Sequence, residues 1–69
     1  MMIRTVVIGS MTNTQKAGRL LRAHGIRTRL TKTDSTLRGG CVYGLEINES
    51  NLREACIALR AGGIEHRVL

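Results

Sequence analysis

Apolar and polar positions follow two different rhythms along the chain, and each rhythm predicts an element. Ile3, Val6, Val7 and Ile8 make a short β-branched run closed by Gly9-Ser10, which predicts a first strand over residues 3–8. The period then lengthens. Ala17, Leu20, Leu21 and His24 recur at i, i+3, i+4 and i+7, the spacing of one helix face. Thr12 and Gln15 read as a capping box at the start of this helix. Gly25 reads as its stop, because glycine takes positive φ without steric cost. Alternation returns over residues 26–32, with Ile26, Thr28 and Leu30 facing one way and Arg27, Arg29 and Thr31 the other. Residues 33–40 are polar and end in Gly39-Gly40, the pattern of an eight-residue loop. Residues 41–47 form a third strand with Tyr43, Leu45 and Ile47 on one face. Residues 48–51 supply cap candidates. Leu52, Ala55, Cys56 and Leu59 restore helical spacing up to Gly62-Gly63, and residues 64–69 are a last strand.

One internal echo stands out. Leu21-Arg22-Ala23-His24-Gly25-Ile26 matches Leu59-Arg60-Ala61-Gly62-Gly63-Ile64, 38 positions further on. Duplication of a β-α-β half explains it, and so does shared helix-stop chemistry. The order β-α-β-β-α-β points to the α+β class and the ferredoxin-like split β-α-β arrangement: a four-stranded antiparallel sheet with two helices on one face. Right-handed crossovers put the first and third strands in the centre. The second and fourth become edges, and Arg27, Arg29 and Lys32 protect the second against edge-to-edge pairing. Ile3 and Val7 make the first strand apolar on the face away from Val6 and Ile8. A strand apolar on both faces predicts a cover over the open side of the sheet, so a homo-oligomer is expected.

Composition narrows the class. Sixty-nine residues make one domain over 1–69, and a chain of this size buries only ~60% of the surface its unfolded form exposes. A hydrophobic share of 42% excludes disorder, and the absence of proline excludes collagen-like or proline-rich readings. Two cysteines with no C-x-x-C pair make neither a disulfide scaffold nor a zinc framework, and no metal or cofactor is expected. The apolar stretch near the start is too short for a signal peptide or a membrane span. These features together predict a soluble cytoplasmic protein.

A net charge of +6 raises the question of nucleic acid. Ferredoxin-like RNA binders stack bases on aromatic residues of the central strands, whereas Tyr43 is the lone aromatic here and faces the helices if Leu45 and Ile47 do. The basic residues are spread over every element. Salt-sensitive, non-specific binding is the most this pattern supports, and no specific nucleic-acid partner is expected.

The stretch Leu37-Arg38-Gly39-Gly40-Cys41-Val42-Tyr43-Gly44 holds the candidate chemistry. In the expected topology the first strand ends where the third begins, which sets Cys41 near the start of the first helix, around Thr12 and Asn13. A helix N-terminus carries about half a positive charge and unpartnered N–H groups, and such surroundings favour thiolate, the reactive form of cysteine. Arg38 adds a cation, Gly39 and Gly40 leave room for a reagent, and a long loop on a small domain is more often functional. The competing reading weighs as much: free cysteine is commonly a small buried hydrophobe. Cys56 lies on an apolar helix face and reads as core. Placed mid-helix while Cys41 lies at one end of the sheet, it is not expected to bridge to it. His24 reads as a helix-end residue, His66 as structural, and Ser35 and Thr36 as turn formers with no general base nearby. Asp34, Glu46, Glu49, Glu54 and Glu65 show no acid–base pairing, and Gly39-Gly40 lacks the Lys-Ser/Thr of a phosphate loop.

Several of these residues carry a resemblance. A helix closing in Ala23-His24-Gly25-Ile26, the strand Arg27-Thr28-Arg29-Leu30, and Gly40-Cys41-Val42-Tyr43-Gly44 leading into Leu45-Glu46-Ile47 are similar to the small bacterial selenium/sulfur carrier-like family. The resemblance spans residues 2–69. Two features depart from it: Arg27 stands where relatives often carry proline, and Arg38-Gly39-Gly40 stands where they often carry serines. The resemblance implies a ferredoxin-like domain whose Cys41 carries sulfur or selenium as a persulfide or selenosulfide. Gly39, Gly40 and Gly44 would then shape access, and the implied partners are donor and acceptor proteins. On this reading the chain is a carrier, not an enzyme with turnover of its own. The alternatives are a binding or assembly module in which Cys41 is incidental and, less favoured, a weak nucleic-acid binder.

Overall fold

The computed structural model describes residues 2–35 and 40–69, and for residues 34, 35, 40 and 41 the main chain only. Its elements run β1 (Ile3–Gly9), α1 (Met11–Ala23), β2 (Arg29–Ser35), β3 (Gly40–Asn48), a 3-10 turn (Glu49–Asn51), α2 (Leu52–Ala61) and β4 (Arg67–Val68). The four strands form one antiparallel sheet in the order β2-β3-β1-β4, so the first and third strands are central as the topology requires. The architecture is α+β and ferredoxin-like.

A single apolar cluster joins the layers. Val6, Leu45 and Ile47 from the central strands are buried against Ala17 and Leu21 of α1 and Ala55, Ala58 and Leu59 of α2. Both helices therefore cover the same sheet face. Ile26 closes the cluster from outside the elements. It is buried just after α1, ahead of β2, so the second strand begins three residues later than the alternation predicts. The physical reason is a helix stop. The Ile26 N–H donates to the Leu21 carbonyl at 2.9 Å and the Gly25 N–H to the Arg22 carbonyl at 2.9 Å, with Gly25 at φ +77°. These are the bonds of a Schellman motif, whose last residue characteristically packs back on the helix. The second copy is the same: Ile64 N–H donates to Leu59 O at 3.0 Å, Gly63 N–H to Arg60 O at 3.1 Å, and Gly63 sits at φ +71°. Shared stop chemistry thus gives the internal echo a physical cause.

The start of α1 differs from the expected capping box. Ser10, not Thr12, is the N-cap: its side chain accepts from the Asn13 N–H at 3.1 Å, while the Thr14 hydroxyl donates to the Ser10 carbonyl at 2.7 Å. Gly9, at φ +132°, turns the chain sharply enough for the helix to begin two residues early. Ser10→Ala should therefore cost about 0.5–2 kcal/mol, seen as a lower urea midpoint. Thr12→Ala, at an exposed position, should shift it by under about 0.5 kcal/mol. Equal losses in the two variants would refute this assignment.

The far end of the sheet is tied by one arginine. Arg4 pairs with Glu49 at 3.2 Å and donates from Nε and Nη2 to the Leu69 main-chain oxygen at 3.1 and 2.8 Å. It links β1, the 3-10 turn and the segment after β4. That fourth strand has two residues where six were expected, and the Leu69 N–H still donates to Thr5 O at 2.9 Å.

Candidate functional site

The register places the candidate residues along the main chain. Gly9 pairs with Tyr43, Asp34 with Cys41 and Ser35 with Gly40. Cys41 thus enters β3 at the sheet end where β1 hands over to Ser10 and α1, as the topology argument expects. Arg38 and Gly39 lie outside the described residues, as do the side chain of Cys41 and all of Gly40 but its main chain. Thr12 and Asn13 occupy the exposed first turn of α1. The Asn13 N–H is taken by the Ser10 hydroxyl, which leaves the N–H groups of Met11 and Thr12 with no partner inside the helix.

The long loop is corrected. Residues 33–35 and Gly40 belong to strands, so β2 and β3 are joined by residues 36–39 alone, a span outside the described residues. Polar composition misled here because β2 is an edge strand with solvent on its outer side. Thr33 is β-branched, and its hydroxyl donates to the Val42 carbonyl at 2.8 Å, which favours extending the ladder over leaving it as loop. The length of the connection no longer argues for function.

Tyr43 is half-buried and shares the register face of Leu45 and Ile47, the side on which the helices lie. The opposite face of the two central strands carries Ile3, Thr5, Val7, Val42, Gly44, Glu46 and Asn48, and so has no aromatic platform for base stacking. Gly44 is buried, and a Cβ there would lie 2.6 Å from the Val6 carbonyl oxygen and 3.2 Å from Val7 Cα. The cause is a β-bulge: between Val7 and Gly9 the pairing slips, leaving Ile8 extra, and the main chain of β1 presses against β3. Gly44 therefore has a packing reason to be glycine.

Cys56 departs from its expected core role. It is a half-buried free thiol, and Ala58 joins Ala55 and Leu59 in the cluster instead. It lines a shallow surface depression with Arg53, Ile57 and Arg60. His24 is exposed at the end of α1. His66 Nδ1 lies 2.9 Å from the Ile64 carbonyl, which accepts from it in the Nδ1–H tautomer, a structural contact. Among the described residues no three His, Cys, Asp or Glu side chains converge to hold a metal ion, and no helix is long and apolar enough to cross a membrane.

Sequence reading passed over a second feature, a cleft between α1 and β2 lined by Gln15, Arg19, Arg22, Thr28 and Leu30. The available signal was charge: α1 holds Lys16, Arg19 and Arg22 and not one carboxylate.

No family model matches the chain, and neither a curated protein nor a solved structure does. The functional reading therefore rests on residues and geometry.

Proposed function

We propose that this protein is a sulfur or selenium carrier that holds the transferred atom on Cys41. The observation that carries the reading is the register of β1 and β3. Gly9 pairs with Tyr43, two residues beyond Cys41, and the next residue, Ser10, caps α1. This register supports the reading, because Cys41 enters β3 at the sheet end where α1 begins and the partial positive charge of a helix N-terminus favours thiolate. A low-pKa thiol is what sulfane-sulfur exchange needs.

The chemistry balances without a redox partner. The Cys41 thiolate attacks the outer sulfur of a donor persulfide, R–S–SH. The donor's S–S bond breaks, R–S⁻ leaves with the electron pair, and Cys41–S–SH forms. An acceptor thiolate then attacks the same outer sulfur and releases the Cys41 thiolate. Selenium follows the same exchange as a selenosulfide. A free-thiol carrier suits the reducing cytoplasm, and a surface of net charge +6 suits donor and acceptor proteins with acidic docking faces.

A second reading draws on one observation, the uncovered sheet face on which Ile3 is 54% exposed. It makes the chain an assembly module that pairs through that face. One experiment separates the two. The protein is incubated with cysteine persulfide and its intact mass is read. The carrier reading expects one added sulfur on the parent and on Cys56→Ala, and none on Cys41→Ala. Equal uptake by Cys41→Ala and the parent overturns it, and an oligomer by light scattering that Cys41→Ser leaves intact would then favour the assembly module.

A further inference from the structure

We infer that the cleft between α1 and β2 is a binding site for a small phosphate monoester, independent of Cys41. Two exposed guanidiniums, Arg19 and Arg22, line it from α1 one helical turn apart. Gln15 lies one turn before Arg19 on the same helix face, and Thr28 lines the cleft from across it. The floor is apolar: Leu30 is 44% exposed, and Leu45 reaches the cleft from the core. A volume of about 300 Å³ sits at the lower end of the range for small-ligand sites, which runs from about 300 to 1,000 Å³.

Charge is the main argument. Like charges on neighbouring turns of one helix face repel and oppose folding, and Lys16, Arg19 and Arg22 follow one another at three-residue spacing. Nothing in α1 offsets them, because the helix has no acidic residue. The ion pairs shown by the geometry are Arg4–Glu49 and Arg29–Glu46, so among the described residues neither Arg19 nor Arg22 pairs with a carboxylate. Two planar guanidinium forks facing one space match the oxygens of a phosphate. A monoester carries about −1.5 to −2 near neutral pH, close to the two charges that face it. The apolar floor then selects an ester with a flat or apolar group over the bare ion. A nucleic-acid backbone fits less well, since each diester supplies one charge and would draw on arginines all over the surface.

Phenyl phosphate is the probe, followed by 15N–1H spectra that include arginine Nε signals. The expected result is saturable shifts confined to Gln15, Arg19, Arg22, Thr28 and Leu30, with inorganic phosphate at least tenfold weaker. Arg19→Gln and Arg22→Gln, both at exposed positions, should each weaken binding by tenfold or more, while Arg53→Gln and Cys41→Ala leave it unchanged. Well-dispersed spectra of each variant verify the fold. Shifts that fail to saturate, or that spread equally to Arg53, Arg60 and Arg67, overturn the proposal. So does a single-stranded oligonucleotide that binds more tightly than phenyl phosphate and loses affinity equally with any arginine removed, which would mark the charge as a non-specific nucleic-acid surface.

Discussion

Leu45→Ala is expected to remove a large share of the protein's stability. Leu45 is 2% exposed, sits mid-strand in β3, and lies opposite Val6 on one side and Leu30 on the other. Its Cδ2 approaches α1 at Gly18, where a Cβ would lie 3.7 Å away, so one side chain fills the space between sheet and helix. Truncating a buried leucine costs about 2–5 kcal/mol, the spread reflecting how far the surroundings collapse into the gap. At roughly 0.05–0.15 kcal/mol per residue, a chain of this length has about 3–10 kcal/mol in all. The variant should therefore show a much lower urea midpoint or be unfolded at 25 °C by circular dichroism. Ile57→Ala is the control, since Ile57 is 63% exposed, and it should change stability by no more than about 0.5 kcal/mol. A Leu45→Ala loss below about 1 kcal/mol would contradict the assigned core.

Two glycine-to-alanine changes should move stability in opposite directions. At Gly44 the new Cβ meets the Val6 carbonyl oxygen at 2.6 Å, and this oxygen belongs to the main chain of a central strand. It cannot swing aside as a side-chain tip would. Relief requires β1 and β3 to move apart at the bulge, so we expect a loss of about 1–3 kcal/mol, as for other overpacked interiors. At Gly18, mid-helix, the Cβ meets Thr28 Oγ1 at 3.5 Å and Leu45 Cδ2 at 3.7 Å, both ordinary contacts. Alanine there should gain up to about 1 kcal/mol from helix propensity. Chemical denaturation of both variants reads the pair. If Gly44→Ala is neutral, the close approach of β1 at the bulge is wrong. The result also bears on the candidate site, because a packing demand at Gly44 accounts for the glycine without any role in access to Cys41.

The fold was legible in the chain because its signals are local and repeated. The β-branched run at the start, two amphipathic faces and two glycine stops suffice to order six elements, and the ferredoxin-like topology follows from that order. What escaped was set by contacts between elements. Ile26 fits the alternation of a strand, yet the Schellman bonds of α1 hold it before β2 begins. Thr12 and Gln15 have capping-box spacing, but the turn at Gly9 brings Ser10 into the cap position first. Thr33 looked like loop on composition and is strand because Val42 offers its carbonyl. Cys56 has core spacing at i+4 from Leu52, while the helix is rotated so that Ala58 is buried instead. Of the candidate site, sequence could mark Cys41 and predict the sheet end at which its main chain enters. The cleft beside Arg19 and Arg22 went unseen because it forms only when α1 lies across β2.

The carrier reading is tested most directly by the alkylation rate of each cysteine against pH, with the modified site assigned by mass spectrometry. An ordinary thiol titrates at about 8.5. Cys41 should react with a midpoint well below that value and faster than half-buried Cys56 at neutral pH. A Cys41 that titrates as an ordinary thiol, or reacts no faster than Cys56, would contradict it.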